Sequence, residues 1–324
     1  MIEIVAQSEA MQEAVGLAER VAATDANVLV TGESGAGKDV LAFRIHSLSP
    51  RAMQPFVKID CATLPGELLE AELFGYERGA FTSATESKPG RLEAAHKGTL
   101  VLDEIAYLSK DSQAKLLRVI ETREFERLGG RSTLKVDARL IALTNVDLAK
   151  AVARRDFRED LFYRLNVVHI HLPPLRERSA DLPPLVVSLL QSYAVKHGRQ
   201  INAITPDALS LLAEYEFPGN VRELANTIER AVIFATGKQL EVGDLPAPIR
   251  AAVSVGRNRK RPRSLAEVEA EYLEETLAAT GGNKAAAARI LGISRKNLYE
   301  RLERLAKGKG EGAMRRSGDE GTTS

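Results

Sequence analysis

The chain has one cysteine, Cys61, in 324 residues, which rules out an intrachain disulfide framework and fits a reducing cytoplasm. It has no run of about 18 apolar residues, so no membrane span is expected. Its first residues, MIEIVAQSEAMQ, are acidic and mixed, unlike a secretory signal. A cytoplasmic location is therefore expected. Charge of one sign is also missing: 45 basic against 44 acidic side chains leave a net charge of +1, so the whole chain does not announce a nucleic-acid protein. The stretch RNRKRP, Arg257 to Pro262, is locally basic, and a basic patch can matter even when the sum is near zero. No internal repeat is visible, and the length suits about two or three domains.

Short apolar runs alternate with helical patterns from Ala26 to Val168. NVLVTG, FVKIDC, TLVLDE, ARLIALTN and NVVHIHL read as strands, mostly apolar on both faces, as strands covered by helices on both sides should be. SKDSQAKLLRVIETREF between them reads as a helix with Leu116, Leu117 and Ile120 on one face. This alternation predicts an α/β domain with a mostly parallel sheet. The prolines of LPPLRERSADLPPL end the pattern, and only helices follow. Thr205 before Pro206 predicts an N-cap with proline at the first helical position. The last residues are rich in glycine, serine and charge and are expected to be disordered.

GESGAGKD, Gly32 to Asp39, lies between a strand and a helix and reads as a phosphate-binding loop. Gly32, Gly35 and Gly37, with Glu33, Ser34 and Ala36 between them, let backbone N–H groups turn toward phosphates at a helix N-terminus. Lys38 is placed to reach the β- and γ-phosphates of ATP. Asp39 departs from the general loop, which has Ser or Thr there as a magnesium ligand. Asp103, after the strand GTLVL, is read as the Mg2+ ligand and Glu104 as the base that polarises the attacking water. Thr144 and Asn145, ending the fourth strand, suit sensing of the γ-phosphate or orientation of water; a plain strand-end turn is the other reading. Arg158, Arg164 and Arg222 are either solvated helix faces or groups that neutralise charge developing on the γ-phosphate, and the residues alone do not choose.

Toward the C-terminus, Leu265, Val268, Tyr272, Leu273 and Leu277 share one helical face. Asn283 caps an alanine-rich helix ending at Gly292, and Ser294 caps a third. Helix, glycine-containing turn and helix make the helix-turn-helix pattern. Arg295, Lys296 and Asn297 open the third helix, where side chains face base edges. Tyr299 and Arg301 join the DNA-binding set, with Arg301 and Arg304 placed to meet phosphates. A helical hairpin used only for dimerisation is the other reading.

GESGAGKD, ELFGYERGAFTSA, GTLVLDEI, LLRVIETREFERLGG, FREDLFYRLNVVHIHLPPLRER and FPGNVRELANTIERAV, spread over about Val5 to Leu245, together resemble the AAA+ domain of bacterial enhancer-binding proteins, the activators of sigma-54 RNA polymerase. The C-terminal helices resemble their Fis-type DNA-binding domain. The resemblance implies an α/β fold: an AAA+ P-loop ATPase core with a parallel sheet, then a helical lid and an all-α helix-turn-helix domain. The expected boundaries are 1–172 core, 173–250 lid, 251–263 basic linker, 264–307 DNA-binding domain and 308–324 tail.

It implies ATP and Mg2+ as ligands, and a homo-oligomeric ring, usually a hexamer, with ATP between subunits. Residue by residue, Asp39 matches an acid the family carries, Asp103 and Glu104 match the Walker B pair, and Thr144 and Asn145 match the first sensor. Arg158 and Arg164 match trans-acting arginine fingers, and Arg222 matches the lid sensor. Asp60 stands where the family often has Asn as a switch for the catalytic glutamate, and as an acid it would repel ionised Glu104. Gly79, Ala80, Phe81, Thr82, Ser83 and Ala84 match the Gly-Ala-Phe-Thr-Gly-Ala loop that touches sigma-54, with Phe81 and Thr82 as the contact residues and Arg127–Asp137 as a supporting loop. Ser83 departs from Gly, which takes φ > 0 freely where Ser pays a steric cost.

The expected partners are thus sigma-54 holoenzyme and an upstream, palindromic DNA site, with no membrane. The chain has no room before the phosphate loop for a receiver, GAF or PAS domain. Control by a separate regulatory protein or by abundance is therefore expected, unless the chain is a fragment. The alternatives are an AAA+ DNA-binding regulator that no longer engages sigma-54, and a DNA-binding factor with a vestigial nucleotide fold.

Overall fold

The computed structural model describes residues 4–82, 84–251, 269–270, 272–273, 276–277 and 280–302. The chain divides into two compact units, residues 1–253 and 254–324. The first is built on a five-stranded, all-parallel sheet of β1 (Val28–Thr31), β2 (Phe56–Asp60), β3 (Thr99–Asp103), β4 (Arg139–Thr144) and β5 (Val168–His171), in the order β2-β3-β4-β1-β5. Both sheet faces are covered. Val28, Val30, Val101, Ile141 and Leu143 face one core, with α1 (Glu9–Ala22) and α2 (Lys38–Ser47). Leu29, Ile59, Leu100, Leu102, Leu140 and Ala142 face the other, with α3 (Gly66–Phe74), α4 (Lys110–Thr122), α5 (Leu148–Ala153) and α6 (Glu159–Leu165). The three central strands are buried on both sides, whereas β2 and β5 are only partly buried. The last two are the sheet edges, where one flank lacks a neighbour, so FVKIDC and NVVHIHL are less enclosed than their apolar content suggests.

Arg139 is the largest fully buried side chain among the described residues. Its guanidinium donates to the carbonyls of Val21 at 2.8 Å, Ala22 at 3.1 Å and Ala26 at 3.4 Å. Val21 and Ala22 end α1 and Ala26 lies just beyond it, so the guanidinium sits at the C-terminal end of that helix, where the helix dipole favours a cation. Burial lowers the pKa of Arg139, and the Asp25 carboxylate pulls the other way.

The lid helices α7 (Leu182–Lys196), α8 (Pro206–Glu214) and α9 (Asn220–Phe234) enclose a separate core that includes Val186, Leu190, Leu212, Leu224 and Ile228. Thr205 caps α8 as its sequence predicts, its hydroxyl accepting the Ala208 N–H, with Pro206 at the first helical position. Short strands absent from the sequence reading complete the unit. Gly75–Tyr76 pairs with Lys88–Pro89, Glu124–Glu126 with Thr133–Lys135, and Ala203–Ile204 with Gln239–Leu240.

In the second unit, α10 (Lys284–Ile290) is capped by Asn283, whose side chain accepts the N–H groups of Ala285 and Ala286. Gly292 turns the chain at φ 66°, Ser294 Oγ accepts the Asn297 N–H, and residues 295–302 are helical. Leu273, Ala287, Ala288 and Leu298 form the small core. Tyr272, expected on the packed face of the first helix, is 55% exposed. Leu265, Val268, the basic stretch 257–262, Arg304 and the tail 308–324 lie outside the described residues.

Candidate active site

Parallel strands bring their C-terminal ends to one edge, the usual ligand edge of an open α/β sheet. Register places Asp60 beside Asp103 and Thr31 beside Thr144. The phosphate loop follows β1, and its glycines are conformationally required. Gly35 has φ 76° and Gly37 φ 105°, and a Cβ on Gly35 would stand 2.3 Å from the Gly219 carbonyl. A cleft of about 250 Å3 forms there, lined by Ser34, Gly35, Gly37, Lys38, Asp39, Val40, Lys58, Asp103, Glu104, Val221, Arg222 and Ala225.

Lys38 is buried, and its Nζ donates to the carbonyls of Gly32 at 2.9 Å and Glu33 at 3.1 Å. It stands 3.8 Å from Glu104 Oε1. Burial lowers its pKa from the ordinary lysine value, against the opposing pull of Glu104 and Asp103. Glu104 occupies left-handed backbone at φ 52°, ψ 50°, and its Oε2 accepts the Asn145 N–H at 3.1 Å. Asp103 Oδ2 receives the ammonium of Lys58 at 2.8 Å. An acidic oxygen that already takes a cation, in a cleft with a Gly-rich loop and two further cationic side chains, fits a divalent cation bound beside phosphates.

Several predicted residues do not line this cleft. Asp60 Oδ1 accepts the Ala62 N–H at 2.9 Å within its own turn, so its carboxylate and that of Glu104 are held by different donors. Thr144 is buried, and its hydroxyl accepts the Val146 N–H at 3.0 Å. The Asn145 side chain lines a neighbouring groove of about 550 Å3 with Thr31, His169 and His171. Arg158, just ahead of α6, forks onto Asp160 at 3.0 and 2.7 Å. Arg164 on α6 pairs with Glu121 at 3.1 Å. Neither arginine lines the phosphate cleft of its own chain.

A seam between loop and lid is absent from the sequence reading. Glu33 takes two hydrogen bonds from Arg176, at 2.8 and 2.6 Å, and one from Asn220 Nδ2 at 3.0 Å. Those donors hold its carboxyl far down, at a pKa of about 2. The Val221 N–H donates to the Gly35 carbonyl at 3.0 Å, Arg222 to Ser34 Oγ at 3.0 Å, and buried Arg178 to the Ala36 carbonyl at 2.7 Å. Phosphate-loop residues 33–36 are thus each bonded to a residue of LPPLRER or PGNVREL. Those segments were visible as motifs, but 140 residues or more separate them from the loop, so no local pattern announces the contact. Lys58 was missed because an isolated strand lysine reads as solvated. Cys61, buried behind the site among Asp60, Asp103 and Glu104, has its thiol pushed up to about 12 by burial, and so stays uncharged.

The 79–84 loop rises from the hairpin that follows α3. Gly79 has φ 85°, and its N–H donates to the Ala84 carbonyl at 2.8 Å, while the Ala84 N–H returns to Phe81. Phe81 is 36% exposed and leans on Tyr76, ring centroids 4.9 Å apart. The second loop is bonded to the first at its base: Glu77 N–H to the Leu128 carbonyl and Leu128 N–H to the Gly75 carbonyl, each 2.9 Å, with Arg127 bridging Glu77 and Glu93. Thr82 is exposed and Ala80 half-buried, and Ser83 lies outside the described residues.

In the second unit Arg295, Lys296 and Asn297 are exposed on the first turn of residues 295–302. Tyr299 is 49% exposed, with Lys284 Nζ 4.7 Å from its ring centroid. Arg301 is paired with Glu269. Among the described residues no helix is long and apolar enough to cross a membrane, and no group of three or more His, Cys, Asp or Glu could hold a metal ion.

Three family models match the chain in order: the sigma-54 interaction domain over residues 4–171, the AAA+ ATPase lid domain over 176–262, and the bacterial regulatory protein, Fis family, over 264–305. The transcriptional regulatory protein ZraR of Klebsiella oxytoca is 47% identical over 305 residues, 93% of this chain and 68% of that protein. The regulatory protein AtoC of Escherichia coli K12 is 46% identical over 308 residues, 93% of this chain and 67% of that one. Among solved structures, NtrX of Brucella abortus in complex with ATP is similar at a TM-score of 0.72 and 36% identity, covering 94% of this chain and 70% of that one. The ADP complex of the same protein is similar at 0.71 and 37%.

Proposed function

The chain belongs to the sigma-54-dependent transcriptional activators, AAA+ ATPases with a Fis-type helix-turn-helix, and from that membership we propose that it hydrolyses ATP to remodel the closed complex of sigma-54 RNA polymerase. The observation that carries this reading is the convergence of Lys38, Asp103, Glu104 and Arg222 on one cleft beside the phosphate loop. It works in the cytoplasm as a homo-oligomeric ring, bound to upstream DNA.

Backbone N–H groups of Gly35 to Lys38 cradle the phosphates, and Lys38 exchanges its loop carbonyls for the β- and γ-phosphate oxygens. Asp103 is the residue that would hold Mg2+, an ion that neutralises charge on the phosphates when bound. Glu104 takes the proton of the attacking water. In the structure its two oxygens are engaged by Lys38 and the Asn145 N–H, so the base is restrained until Lys38 turns to phosphate. Asn145 and Thr144 link that restraint to the end of β4, with Asp60 acting from β2, beside the strand that ends in Asp103.

Arg222 senses the phosphates from the lid, releasing Ser34 as it does so. Arg158 and Arg164, held by Asp160 and Glu121 and absent from their own cleft, serve the cleft of an adjacent subunit. The 79–84 loop, braced by the second loop, presents Phe81 and Thr82 to sigma-54. Phe81 supplies apolar contact area at little conformational cost. Arg295, Lys296 and Asn297 face base edges, with Tyr299 beside them. Arg301 reaches phosphate on giving up Glu269.

The test is ATP-dependent phosphate release by the purified chain, repeated with sigma-54 holoenzyme on promoter DNA. Turnover with strand opening supports the reading, and absence of turnover overturns it.

A further inference from the structure

Lys58 lines the phosphate cleft, and the reaction above gives it no task. It lies on β2, two residues before Asp60, so strand periodicity puts both on one face. Its Nζ stands 2.8 Å from Asp103 Oδ2. The Asp103 side chain is only 19% exposed and that of Lys58 38%, so the ammonium covers an oxygen with little other access to water. Lys38 does not do the same work: it is held by the carbonyls of Gly32 and Glu33 and faces Glu104. The cleft therefore contains two ammonium groups, each assigned to a different acid. Lys58 has a flexible stem on an edge strand, which lets its compact charge leave the carboxylate without moving the sheet.

We propose that Lys58 is a positioning residue that holds Asp103 in an ion pair while the nucleotide is absent and competes with the divalent cation for that carboxylate. The proposal rests on the reading of Asp103 as the metal ligand. Its sign is definite. The ion pair steadies Asp103 against the nearby carboxylates of Asp60 and Glu104, and it subtracts from metal affinity because the pair must open before Asp103 serves a metal. For a partly exposed pair the effect is roughly two- to fivefold in a binding constant.

The test uses the full chain saturated with ADP and titrated with Mn2+, free Mn2+ being followed by electron paramagnetic resonance. ADP has no γ-phosphate, so an ammonium contact to that group cannot enter the result. Lys58→Met keeps the stem, loses the charge, and is expected to lower the Mn2+ dissociation constant roughly two- to fivefold. Lys58→Arg keeps the charge and is expected to stay at the wild-type value. Mn2+ binding by Lys58→Met that is unchanged or weaker, with Asp103→Asn impaired, overturns the competition. Wild-type Mn2+ affinity in Asp103→Asn overturns the underlying metal-ligand reading instead. ADP affinity without metal checks that each variant keeps its nucleotide site.

Discussion

Glu104 is held at φ 52°, in a region that costs a non-glycine residue of order 1–3 kcal/mol, and such strain persists where the surroundings over-determine it. Here the surroundings are Lys38 and the Asn145 N–H, one on each carboxylate oxygen. Glu104→Gln should keep the shape and the ATP affinity while hydrolysis falls by about 10²–10⁴-fold. Fluorescent-nucleotide binding and phosphate release on the same preparation check both halves. Glu33 makes a different kind of contribution. Its carboxyl is depressed to about 2 by Arg176 and then Asn220, so its stabilisation is full above the unfolded value near 4.5 and fades as pH falls toward 2. The melting temperatures of the wild type and Glu33→Gln should therefore differ at pH 6 and converge on acidification through that window. A difference independent of pH would mean that the Arg176 pair does not act through the charge of Glu33.

Two loops, rather than one, meet where Gly129 packs against Ala80. Gly129 has φ 70°, and a Cβ on it would stand 2.8 Å from Ala80 Cβ. Gly129→Ala should displace the 79–84 loop and weaken binding to sigma-54, leaving basal ATPase activity near wild type because the phosphate cleft is untouched. A pull-down with sigma-54 alongside a phosphate-release assay measures the two. The five sheet strands, the caps Thr205, Asn283 and Ser294, and the Lys38–Asp103–Glu104 set were legible because each is a local pattern: an apolar run, a capping residue, a Gly-rich turn. The hairpins Gly75–Tyr76/Lys88–Pro89 and Glu124–Glu126/Thr133–Lys135 were not legible, since strands of two or three residues carry too little alternation to be seen. The Glu33–Arg176–Asn220 seam was hidden for another reason. Each member is an ordinary polar residue in its own neighbourhood, and only the docking of the lid makes them partners.

Across the whole chain, Arg158 and Arg164 lie away from the phosphate cleft. If an adjacent subunit receives them, mixing inactive Glu104→Gln with inactive Arg164→Ala should restore part of the ATPase activity, because some interfaces then pair an intact Glu104 with an intact Arg164. Mixtures as inactive as their components would argue that the arginines act within one chain. The central claim is that ATP turnover in this chain drives opening of sigma-54 promoters. Permanganate reactivity of promoter thymines, with purified sigma-54 holoenzyme, tests it most directly. The wild-type chain should yield open complexes with ATP and none with ADP or as Glu104→Gln. No opening by the wild type, with opening restored by Ser83→Gly, would contradict it and leave a regulator of this family that has given up its contact with sigma-54.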